Sequence, residues 1–212
     1  MIKYQLALLG HSQRYLLPAL AFTALLGLLY SNESGNPAPP EFAVSGGALT
    51  VVACWLTITL ADIEDPAQWL ITLAHARRLS IVVGSVVLTV FAGCAGLTVL
   101  SLLWSALAHG GESLGDLGIG LLAQLTCACA GIAVGLPCSR LLMPRAGYTA
   151  LAAIIGVGVV LLTPWIPLVN PLLRALSSDQ PAILPILVSL FSSVLVLVGS
   201  AAAVVFFRPR RD

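Results

Sequence analysis

The chain has 212 residues, of which 58% are apolar and only 9% charged, with a net charge of +1 and a mean hydropathy of +1.00. A soluble domain carries about a quarter charged residues, so too little polar surface exists here to hold a globule in water, and the solvent must be a bilayer, where only helices or closed barrels satisfy the backbone. The apolar runs are continuous and long rather than alternating, which excludes a barrel, and no basic patch for nucleic acid is present.

Runs able to cross about 30 Å of hydrocarbon fall at residues 15–30, 44–61, 80–107, 118–137, 148–164 and 182–207. They predict an all-α polytopic membrane protein: six transmembrane helices in a single transmembrane domain over residues 1–212. The first run follows Lys3, His11 and Arg14, and no small-residue cleavage site precedes the next polar loop, so it reads as a retained helix. Residues 31–43, rich in Pro, Gly and Asn, read as a loop. Residues 62–79 form the one substantial charged segment, and residues 109–117 an acidic turn. Residues 138–147 hold Arg140, Pro144 and Arg145, while Pro164, Pro167, Pro171 and Pro181 surround a short apolar piece.

Positive residues orient the spans. With six spans, Lys3, Arg14, Arg77, Arg78, Arg140, Arg145, Arg208, Arg210 and Arg211 lie on one side and only Arg174 on the other. That asymmetry places both termini in the cytoplasm. Tyr15 and Tyr148 then fall at the inner boundary, and Tyr30, Trp104 and Trp165 at the outer one, where amphipathic rings settle. Arg outnumbers Lys nine to one, which points to a bacterial source and hence a bacterial inner membrane.

Chemistry is constrained by what the spans lack. None of the six runs contains Asp, Glu, Lys, Arg or His, the groups that proton-coupled carriers and intramembrane enzymes need at membrane depth. HExxH, GxSxG and Walker A patterns are missing too. No catalytic residue and no metal site is expected. Cys54, Cys94, Cys127, Cys129 and Cys138 lack metal-ligand spacing and read as small packing residues.

Segment 62–79 stands apart. Asp65 suits an N-cap and Pro66 the first helical position, where its missing N–H costs nothing. Acidic residues precede the segment and Arg77 and Arg78 close it, matching the helix dipole at both ends. Trp69, Leu70 and Leu73 share one face; Gln68, Thr72 and His75 share another. Two readings stay open for this amphipathic helix: it rests in the headgroups, or it docks a soluble cytoplasmic partner.

The stretch from Leu60 to Leu79, followed by Val83 and Gly84, resembles the coupling helix and third-span start of the membrane subunit of type-2 ATP-binding-cassette (ABC) exporters, with Asp62, Glu64 and Gly84 at matching positions. The proline-rich 164–181 segment is similar to the short re-entrant piece of that family. The resemblance covers the chain as architecture. It implies a permease subunit, expected as a homodimer, that carries an apolar or amphipathic cargo and is driven by two copies of a separate ATPase chain. ATP and Mg would sit on that partner, and this chain would not itself be an enzyme. Asp62, Glu64, Asp65, Pro66, Trp69, Leu70, Leu73, His75, Arg77 and Arg78 become the candidate ATPase-coupling residues. The alternatives are a non-transporting membrane scaffold or assembly factor, and a carrier not coupled to protons.

Polar residues inside the spans form a second group. Most Ser and Thr in membrane helices bond their own backbone or bridge to neighbours. Gln124, Thr126, Ser189, Ser192 and Ser193 are candidates to line a pathway. An amide at the depth of Gln124 needs a partner on another helix, in another copy, or in water. Gly131 and Gly135 make a small-xxx-small step, which permits close packing within the subunit or a dimer seam.

Overall fold

The computed structural model describes residues 13, 15–31, 38–63, 79–109, 114–140, 146–165, 168–177 and 183–207. All regular structure among them is helical. The elements are α1 (Leu16–Leu29), α2 (Ala38–Ala61), α3 (Leu79–His109), α4 (Leu114–Cys138), α5 (Ala146–Leu162), α6 (Asn170–Ser177) and α7 (Ile183–Phe207).

Four of these, α2, α3, α4 and α7, are long and apolar enough to cross a membrane. The shorter α1 and α5, 14 and 17 residues, extend roughly 21 and 26 Å at 1.5 Å per residue. Both fall below the ~30 Å hydrocarbon thickness. At the other extreme, α3 has 31 residues. Its length of roughly 46 Å requires it to tilt or to project beyond the hydrocarbon.

The second helix begins earlier than hydropathy alone predicts. Residues 38–43, expected in a loop, form the first turns of α2. Pro39 and Pro40 fall in the opening turn, where an N–H has no intrahelical partner to lose. Glu41 follows, its charge favoured at the positive end of the helix dipole. This brings a carboxyl group that is 9% exposed into the helical bundle. The proline-rich 164–181 piece contains α6, whose Leu172 and Leu176 are buried against the core. Asn170 Nδ2 donates to the Leu161 carbonyl at 2.6 Å, satisfying one of the orphan acceptors at the end of α5.

The core is built on α2 and α4. Each has 61% of its apolar window inside the protein, against 11% for α7. Side chains on α4 and α2 meet in register: Gly120 against Phe42, Cys127 against Gly46, Gly131 against Thr50 and Gly135 against Thr57. The two helices therefore run parallel. A Cβ at Gly131 would overlap the Thr50 carbonyl oxygen and lie 2.8 Å from Ala53 Cβ. One at Gly135 would lie 2.7 Å from Thr57 Cβ. Lipid provides no hydrophobic drive between helices, so close backbone approach and dispersion hold this pair. The Gly131–Gly135 step is thus used inside the subunit.

Two apolar clusters flank that pair. One joins Phe22 and Leu26 of α1 to α2, Val83, Val86 and Val90 of α3, Ile132 and Leu136 of α4, and Val204 of α7. The other gathers Ala123 and Cys127 of α4, Val160 of α5, Leu172 of α6 and Ile186 of α7. All five cysteines are buried free thiols, as packing residues should be.

Candidate functional site

Two features of the bundle bear on function: a polar junction at its centre and a groove on its side.

The junction is built around Gln124, which is fully buried on α4. Its Nε2 donates to Ser45 Oγ of α2 at 3.1 Å and to Ser101 Oγ of α3 at 2.9 Å. The partner that a mid-span amide requires is thus supplied by two other helices of the same chain. Gln124 Oε1 has no hydrogen-bond donor among the described residues. The remaining pathway candidates are placed differently. Thr126 is buried and donates to the Leu122 carbonyl at 2.7 Å. Ser189 and Ser193 are buried and Ser192 half-buried, and Ser193 donates to Leu190 O at 3.0 Å.

The groove lies between α2 and α5 and has a volume of about 720 Å³. Val51, Trp55 and Ile58 of α2 face Ala150, Ala153, Ile154, Val157 and Gly158 of α5 across it. Its polar lining residues are Thr59 of α2, Asp62 just past the end of α2, and Thr149 of α5. None of the five pathway candidates lines it. Trp55 drew no attention in the sequence because its span is uniformly apolar. Small residues at 150, 153 and 158 on one face of α5 are the signal that marks the space opposite it.

Asp62 links the groove to the centre of the bundle. Its Oδ1 accepts the backbone N–H of Arg140 at 2.9 Å, and its Oδ2 lies 4.0 Å from Arg140 Nε. A carboxylate at the C-terminal end of a helix opposes the dipole; the N–H and guanidinium of Arg140 offset this. The bond ties the end of α2 to the end of α4. The other coupling candidates, Glu64, Asp65, Pro66, Trp69, Leu70, Leu73, His75, Arg77 and Arg78, lie outside the described residues.

Among the described residues, no group of three or more His, Cys, Asp or Glu side chains is placed to hold a metal ion. A scan against protein-family models found no match, and searches of curated proteins and of solved structures likewise found none.

Proposed function

We propose that this chain is the permease subunit of an ABC-type exporter, with six spans and both termini in the cytoplasm. It works as a homodimer with two copies of a separate ATPase, which holds the ATP and Mg. The observation that carries this reading is the way α2 is anchored. Segment 62–79, the expected docking site for the ATPase, leaves directly from the end of α2. That helix is locked to α4 by Gly131 and Gly135 and pinned at its end by Asp62 and Arg140. A push on the segment is therefore delivered to the two most buried long helices instead of to a lipid-facing one.

Other features support the same reading. The middles of the spans hold no Asp, Glu, Lys, Arg or His, which fits a cycle powered by another chain. The short α1 and α5 cross by drawing the bilayer thinner at their ends, where Tyr15, Tyr30, Tyr148 and Trp165 mark the headgroup level. The open α2–α5 groove offers apolar cargo a lateral way in.

The test is affinity purification of the chain in mild detergent from its native cells. An ATPase should co-purify in equal number, and its activity should change when the permease is present. Purification without any ATPase, together with transport driven by an ion gradient alone, would reject the exporter reading.

A further inference from the structure

We propose that the α2–α5 groove is a binding site for a single aminophospholipid, with acyl chain between the helices and zwitterionic headgroup on the Asp62–Arg140 pair. This site needs no ATPase and stands whether or not the chain is an exporter.

Length is the first argument. The groove runs along α2 from Asp62 to Val51, roughly 16 Å at 1.5 Å per residue. That is about half of the ~30 Å hydrocarbon core, the depth of one leaflet. A membrane-spanning helix from a second copy would require the full thickness.

Polarity gives the second. The walls, Val51, Trp55, Ile58, Ile154 and Val157, are apolar, and the charged group stands at one end. An apolar slot with a charged end at the boundary of a span complements an amphiphile whose head sits at that boundary. Asp62 offers a carboxylate to an ammonium group that can donate hydrogen bonds. Arg140, whose side chain is 56% exposed, offers guanidinium donors to the adjoining phosphate. A lipid with a net negative head would meet the like charge of Asp62, and a quaternary ammonium has no N–H to donate.

The groove can be filled without disturbing the bundle. A Cβ at Gly158 would have no atom within 4 Å, so a leucine there projects into open space. Asp62→Asn removes the charge but keeps an oxygen to accept the Arg140 N–H.

The full chain is reconstituted in vesicles of equal phosphatidylethanolamine, phosphatidylcholine and phosphatidylglycerol, extracted gently, and examined by native mass spectrometry. Wild type should retain phosphatidylethanolamine selectively. Gly158→Leu and Ala153→Phe should each lower that retention about tenfold, a change of about 1.4 kcal/mol. Asp62→Asn should keep lipid but lose the selectivity. In a chain carrying Trp69→Phe, Trp104→Phe and Trp165→Phe, Trp55 emission should be quenched by brominated phosphatidylethanolamine, and less so after Gly158→Leu. Equal retention of the three lipids by wild type would mean bulk lipid only. That result, unchanged retention in both groove-filling variants, or Trp55→Cys crosslinks between two copies across the groove would overturn the proposal.

Discussion

Asp62 accepts its hydrogen bond from the backbone of Arg140, not chiefly from the arginine side chain: Oδ1 lies 2.9 Å from the backbone nitrogen, while Oδ2 is 4.0 Å from Nε. The two partners therefore differ in how much their replacement costs. A hydrogen bond to a charged group contributes about 1.5–3 kcal/mol, whereas an exposed ion pair contributes about 0–1 kcal/mol. Asp62→Ala should lower stability in detergent by about 1–2 kcal/mol, and Arg140→Gln by less than about 1 kcal/mol. Thermal unfolding of the two variants at one lipid-to-detergent ratio measures the difference. Equal losses would show that the guanidinium holds the joint.

Glycines that face α2 should differ from one that faces open space. Gly131→Ala and Gly135→Ala each place a methyl group against the backbone of α2. Overpacking of this kind costs about 1–3 kcal/mol. Gly96→Ala on α3, where no atom lies within 4 Å of the new Cβ, should be neutral or stabilising by up to about 1 kcal/mol, because alanine suits a helix better than glycine. Unfolding midpoints for the three variants provide the check; equal behaviour would mean that α2 and α4 are not in close contact.

The Gln124 junction is testable by a double-mutant cycle with Ser101→Ala and Gln124→Leu. Interhelical hydrogen bonds in membranes average about 0.6 kcal/mol and reach about 1.7 kcal/mol. A coupling energy in that range is expected, since Gln124 Nε2 and Ser101 Oγ are 2.9 Å apart. A coupling of zero would place the amide on other partners.

If α5 crosses the membrane, Arg140 and Trp165, which flank it in the chain, lie on opposite sides. Trp165, 91% exposed beyond the end of α5, should face the outside, and Arg140 the cytoplasm. An impermeant thiol reagent applied to intact cells should label Trp165→Cys and leave Arg140→Cys unmodified. Ser139 is unsuitable as a reporter because it is buried. The reverse labelling pattern would invert the topology.

Docking of the ATPase should depend on Trp69 and Leu73. Aromatic anchors contribute a few kcal/mol to binding when they fill a pocket, so Trp69→Ala with Leu73→Ala should weaken capture of the ATPase at least about tenfold. Insertion of the spans should be unaffected. Co-purification at matched expression measures this, and undiminished capture would leave the segment a headgroup-resting helix.

The sequence alone determined that this is a helical membrane protein, and where most of its helices lie, because hydropathy and proline placement act locally along the chain. Even there, the start of α2 escaped it: Pro39 and Pro40 signal a loop or a first helical turn equally well, and only the continuation through Glu41 decides between them. Gln124 could be recognised as needing a partner, since a buried amide is costly anywhere, but its partners Ser45 and Ser101 stand 79 and 23 residues away. Likewise Gly131 and Gly135 announced a close contact without naming α2. The α2–α5 groove and the Asp62–Arg140 tie were decided by tertiary structure alone. In a soluble protein an apolar stripe would have revealed the inward face of each helix. In lipid the outward face is as apolar as the inward one, so no such stripe exists to read, and the pairing of faces is left to shape, glycine contacts and a few buried hydrogen bonds.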